Sequence, residues 1–131
     1  MIVVDTSAVL SALAGWPPPR SLVDRLASDG DLHAPHLIDV EVLHAARGLV
    51  IGGKLSLDRA ADLRDDYAAL SIVRYPHHPL ADRVWELRTN LTAYDAVFVA
   101  LSEALGAPLV TCDAALAAGG HDARVELYGS D

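Results

Sequence analysis

The feature that most restricts the fold is the first one met. Ile2-Val3-Val4 is a short, wholly apolar, β-branched run that passes straight into Asp5-Thr6-Ser7 and a helical apolar stretch over residues 8–14. A strand without polar alternation is buried on both faces, which is the pattern of a parallel sheet covered by helices. The rest of the chain repeats the alternation. Helices are expected over 20–27, 36–51, 56–70, 79–88 and 92–105, with a short one over 113–118; strands are expected at 32–34, 71–75, 109–111 and 124–128. Pro35 opens the third helix in this reading and Gly52-Gly53 closes it; Ser56 and Thr92 cap the next helices, and Gly106 ends the last long one. The expectation is one α/β domain over residues 1–131, with a parallel sheet of four or five short strands between helices.

Composition narrows the setting. With 52% apolar residues the 131-residue chain has enough to bury a core, and no apolar run reaches the length of a membrane span. Cys112 is the only cysteine, so no internal disulfide is expected, and with no signal-like start at Met1 a cytoplasmic location is expected. The net charge of −8, with Lys54 the one lysine beside nine arginines, runs against the basic face of an ordinary nucleic-acid binder. Either the partner is not a polyanion, or cations held by carboxylates take over part of that role.

Four acids fall where ligands bind in open parallel sheets, beyond the carboxyl ends of strands. Asp5 follows the first strand and Asp113 the fourth; Glu41 shares its helix face with Leu37, Ile38, Ala45 and Gly48, and Asp95 stands in the first turn of an apolar helix. Each also has an ordinary role open to it. Asp5 and Asp113 can cap helices, Asp95 can complete a capping box with Thr92, and Glu41 can pair with an arginine. As a set in one pocket, four carboxylates would repel one another and raise each other's pKa unless divalent cations lay among them. Oxygen donors of this kind suit Mg2+ or Mn2+.

Asp5-Thr6-Ser7, Glu41, the segment Asn90-Leu91-Thr92-Ala93-Tyr94-Asp95-Ala96 and the ending Leu109-Val110-Thr111-Cys112-Asp113 resemble the PIN-domain toxins of the VapC type. The resemblance runs to about Leu116 and implies a PIN-like three-layer α/β/α sandwich. It implies the toxin of a type II toxin–antitoxin pair, an endoribonuclease using one or two Mg2+ or Mn2+ ions to cut RNA, transfer or ribosomal RNA above all, and so to stop translation. It further implies a homodimer and an antitoxin whose C-terminal arm covers the site; an arginine on that arm would fit the four carboxylates. Asp5, Glu41, Asp95 and Asp113 match the catalytic, metal-binding acids, with Asp5 and Asp95 ranked first. Thr111 matches the polar residue before the last acid, and Thr6 and Ser7 are candidates to position the scissile phosphate.

Two other functions are weighed. An aspartate-dependent phosphohydrolase needs a second acid two residues after the first, and position 7 is Ser7. A catalytically silent PIN-fold module binding RNA or protein would be favoured by loss of one acid, and all four are present. His77-His78 lies between prolines in what reads as an exposed turn and lacks the spaced partners of a zinc site. His44 reads as a plain core or surface residue, Cys112 as an inert buried thiol. Trp16, Trp85, Tyr67 and Phe98 read as packing residues rather than base-stacking platforms.

Overall fold

The structure, a computed structural model, describes residues 1–129. Five strands, β1 (Ile2–Val4), β2 (Leu32–Pro35), β3 (Ile72–Tyr75), β4 (Leu109–Thr111) and β5 (Val125–Leu127), form one sheet in the order β3-β2-β1-β4-β5. Every pairing is parallel, with Ile2 beside Leu32 and Val3 beside Leu109. All three residues of β1 are fully buried, as a central strand covered on both faces must be. The chain builds outward from β1 to β3 and then returns to add β4 on the other side. The gap between β1 and β4 is therefore the topological switch point.

Six helices cover the sheet: α1 (Thr6–Ala14), α2 (Arg20–Ser28), α3 (Leu37–Ile51), α4 (Leu57–Ala69), α5 (Ala81–Glu86) and α6 (Ala93–Leu105). The helix α6 is buried from Ala96 through Ser102 and packs on β1, β2 and β4. Its start is fixed by Thr92, whose hydroxyl accepts from the Asp95 N–H (3.2 Å), and its end by Gly106 in the left-handed region (φ 62°), where a side chain would be strained. α1 packs instead against α2, α3, α4 and β4.

Three parts of the sequence reading change. Pro35 is the buried last residue of β2 rather than the opener of a helix: its ring sits on a strand whose side chains are all inside. The helix expected over 79–88 begins as a 3-10 turn at His78–Leu80 and continues as α5 only to Glu86. The short helix after Asp113 is a 3-10 turn, Ala114–Ala117.

Ion pairs between distant segments fasten the layers. Arg74 on β3 grips Asp39 on α3 with its guanidinium fork, and the Tyr67 hydroxyl of α4 donates to the same carboxylate at 2.6 Å. Arg83 grips Glu103, and Arg25 grips Glu126. Bidentate geometry holds orientation as well as charge. Most stability still resides in the apolar core around α6, where Phe98 is 2% exposed. Phe98→Ala is expected to cost about 3–5 kcal/mol, a large part of the stability of a domain this size. Chemical denaturation reads it; a loss under about 1 kcal/mol would mean that α6 is not the packed centre described here.

Candidate active site

The sheet order brings two of the four acids to one place. β1 and β4 are neighbours, so the residues leaving their carboxyl ends, Asp5 and Asp113, leave on the same edge. α6 leads into β4, which is parallel to β1; its N-terminus with Asp95 therefore stands at that same edge. Glu41 lies just past the first turn of α3, which leaves the edge after β2.

Asp5 is the most fixed of the four. It is 5% exposed, and its carboxylate accepts from the Ala8 N–H (2.9 Å), the Ser7 hydroxyl (2.8 and 2.9 Å) and the Thr111 hydroxyl (2.6 Å). It is thus the N-cap of α1 and a strapped carboxylate at once, so the two roles set against each other in the sequence coincide. The strap continues into the loop after β4. Ser7 Oγ accepts from the Cys112 N–H and Thr111 Oγ1 from the Asp113 N–H, both at 2.9 Å. Asp113 in turn caps its 3-10 turn through the Ala115 N–H.

Glu41 is half-buried and accepts from the Thr6 hydroxyl at 2.8 Å. No ion pair among the described residues includes it, so the arginine partner allowed by the sequence is not there. The hydroxyls of Thr6, Ser7 and Thr111 are all engaged with carboxylates. Their observed work is to aim the acids.

Electrostatics couple the four. Burial pushes the Asp5 carboxyl above its ordinary value against the pull of its hydrogen bonds, and the charge of Asp113 adds to the rise. Burial likewise raises Asp95, again helped by Asp113, and it raises Glu41, helped by both Asp95 and Asp5. Each acid is within electrostatic reach of at least one other, and among the described residues no arginine or lysine pairs with them.

Whether such a set fits a divalent cation turns on its donors. Among the described residues no three or more His, Cys, Asp or Glu side chains are grouped so that together they could hold a metal ion. Mg2+ does not require such a group, since it keeps several waters and is held directly by one or two carboxylates. Oxygen donors carrying unneutralised charge fit Mg2+ or Mn2+, and the raised carboxyl values mark charge that a cation would relieve.

Of the residues set aside, His44 bears electrostatically on Glu41, Cys112 lies in the strapped loop beside Asp113, and His77 has an unexpected role. His77 is exposed as expected, but its Nε2 accepts from the Leu37 N–H at 2.9 Å and so caps α3 from 40 residues away. His44 is exposed. Cys112 is half-buried rather than buried, and burial raises its thiol above the ordinary value. Phe98 is core and Tyr67 packs against it, whereas Trp85 is 67% and Trp16 86% exposed, which corrects their reading as packing residues.

Sheet order and acid placement first define a class: an α/β domain with an acidic, oxygen-donor site at the switch point of a parallel sheet. The chain belongs to the PIN-domain family, whose model matches residues 2–121, and within it to the VapC ribonucleases. It is 44% identical over 117 residues to Ribonuclease VapC1 of Mycobacterium tuberculosis, covering 88% of both chains. To Ribonuclease VapC12 of the same organism it is 37% identical over 128 residues, covering 97% of this chain and 98% of the other. Among solved structures, FitAcB from Neisseria gonorrhoeae superposes with a TM-score of 0.71 at 20% identity, covering 95% of this chain and 96% of that one. A toxin–antitoxin complex from Klebsiella pneumoniae gives 0.65 at 18%, covering 91% and 92%. The M. tuberculosis VapC20, described as a sarcin-ricin-loop-cleaving toxin, gives 0.64 at 17%, covering 93% and 97%. These last three likenesses speak for the fold.

The raised carboxyls fix the direction of pH dependence. Between the ordinary 3.8 and 4.5 of aspartate and glutamate and the raised folded values, the folded chain holds protons that the unfolded chain has lost. Stability contributed by these groups therefore falls as pH rises through that window. The lowered groups, Asp39, Glu103 and Glu126, lose their contribution only below the ordinary values. With EDTA present, the unfolding free energy is expected to fall from just above the ordinary carboxylate range, about pH 4.5, toward about pH 7.5, and Asp5→Asn to flatten the fall. Urea unfolding of the metal-free protein checks it; stability rising steadily over that interval would contradict the coupling.

Proposed function

We propose that this protein is the toxin of a type II toxin–antitoxin pair, a metal-dependent endoribonuclease whose site is Asp5, Glu41, Asp95 and Asp113. The observation that carries the reading is that the sheet order brings Asp5, Asp95 and Asp113 to one edge, where burial raises the Asp5, Asp95 and Glu41 carboxyls and, among the described residues, no arginine or lysine is paired with them. The carboxylates would hold one or two Mg2+ or Mn2+ ions, which supply charge stabilisation at the phosphate and acidify water for attack. The net charge of −8 then ceases to oppose an RNA substrate, because bound cations reverse the local field.

The chain's own residues divide the remaining work. Asp5 is buried and strapped, which suits a ligand of fixed direction, and Asp113 is tied to it through Thr111. Glu41 and Asp95 are half-buried with raised carboxyls, which suits taking a proton from the attacking water. In-line displacement at the phosphorus leaves a 5′-phosphate and a 3′-hydroxyl. Single-stranded or loop RNA is the substrate class, transfer or ribosomal RNA within it; the sarcin-ricin loop cleaved by one structural neighbour, VapC20, belongs to that class.

The reading includes a cytoplasmic protein, a homodimer and an antitoxin. No helix among the described residues is long and apolar enough to cross a membrane. Val40, Leu43 and Ile51 on α3 and Leu57 on α4 are exposed, and the furrow between these helices offers apolar surface to a partner's C-terminal arm. An arginine on that arm, placed among the four acids, would hydrogen-bond two carboxylates and exclude cation and RNA together.

Purified protein is expected to cut RNA with Mg2+ or Mn2+ and to stop on addition of EDTA. Asp95→Asn should slow cleavage about 10²- to 10⁴-fold without unfolding the chain. Full activity of that variant on RNA that the wild type cuts would sink the site, and metal-independent cleavage would sink the mechanism. Co-expression with the product of the neighbouring gene should give a tight complex without nuclease activity. A complex that cuts at the free rate would rule out the blocking arm.

A further inference from the structure

Next to the acids lies a groove of about 440 Å3 that the mechanism above does not use. Leu37, Val84 and Val97 contribute to its apolar lining, and Trp85 and Tyr94, 67% and 64% exposed, stand along it. Arg88 places its guanidinium 4.5 Å from the Trp85 ring centre. An exposed tryptophan and tyrosine on one apolar furrow leave the Tyr94 ring and the side of the Trp85 ring away from Arg88 largely in solvent, a costly arrangement for a surface with no use.

Two observations indicate what the furrow takes. The first is position. Leu37 precedes Glu41 by one helical turn on the same face of α3, while Tyr94 is the residue next to Asp95 in the first turn of α6. The furrow therefore runs up to two of the four acids. The second is charge. In a chain with 18 acidic and 10 basic residues, the lining includes Arg88 and not one carboxylate. Arg25, Arg74 and Arg83 are held in forks by acids, while the Arg88 guanidinium lies over an exposed ring. An occupant with flat apolar faces and negative charge between them matches that lining: an unpaired stretch of RNA.

Resting on the ribonuclease reading, we propose that this furrow is a nucleobase subsite, in which a base flanking the cut phosphate stacks on Trp85 and Tyr94 while Arg88 meets the backbone. Aromatic stacking tolerates any base, and it supplies affinity where basic residues are few. The furrow thereby positions the strand so that the neighbouring phosphate falls among the acids.

The test uses the full chain and a short unstructured RNA of mixed sequence. In a Trp16→Phe background, with EDTA to prevent cleavage, RNA should quench the fluorescence of Trp85, and an abasic strand of the same length should not. In the cleavage assay Trp85→Leu and Tyr94→Leu should each raise KM about 5- to 150-fold with little change in kcat, and Trp85→Phe should recover most of the loss. An unchanged KM in both leucine variants, or equal quenching by the abasic strand, overturns the subsite. So does sedimentation showing that Trp85→Leu converts a dimer to a monomer, since a second copy of the chain would then fill the furrow. If the wild type cuts no RNA with either metal, the ribonuclease reading fails. The quenching arm requires no cleavage and still decides the furrow by itself.

Discussion

The Asp5 carboxylate is the point on which the rest of the molecule is hung. It ends the central strand, starts the first helix by accepting from the Ala8 N–H, and is bound across the β1–β4 gap by the Thr111 hydroxyl. Because Thr111 also receives the Asp113 N–H, and Ser7 the Cys112 N–H, the loop bearing the second acid is positioned by the first. Burial works against this charge and the hydrogen bonds work for it; burial prevails, leaving the carboxyl raised. Tension of that kind at the switch point of a parallel sheet is what a cation at the proposed site would relieve.

Much of this is legible in the sequence because its signals are local. A strand of three β-branched residues followed by an acid and two hydroxyls announces both β1 and its edge; Ser56, Thr92 and Gly106 announce helix ends, and each does so in the structure. The four acids stand out because each interrupts an apolar pattern or sits at an element boundary. Their membership in one electrostatic group needs the fold, since it depends on β4 returning beside β1.

What escapes the sequence is long-range. Arg25 meets Glu126 across 101 residues, Arg74 meets Asp39 across 35 and Arg83 meets Glu103 across 20. No spacing rule reaches those separations, and so nine arginines look equally available for RNA. His77 caps α3 from another segment, which no capping pattern in the chain encodes. Trp85 reads as core because tryptophan usually packs, yet its helix is a short one on the outside of α6 and turns the ring to solvent. The surface is thus divided by function: arginines paired to acids fasten the layers, acids without arginines line the switch point, and the aromatic furrow beside them is lined without acids.

The proposed site requires the four carboxylates to hold a divalent cation jointly, and anomalous diffraction from crystals grown with Mn2+ tests this most directly. The expected result is a strong peak touching the Asp5 carboxylate and at least one of Glu41, Asp95 and Asp113, absent from crystals of Asp5→Asn. A well-occupied Mn2+ elsewhere with the four acids empty, or no peak at a saturating concentration, would contradict it.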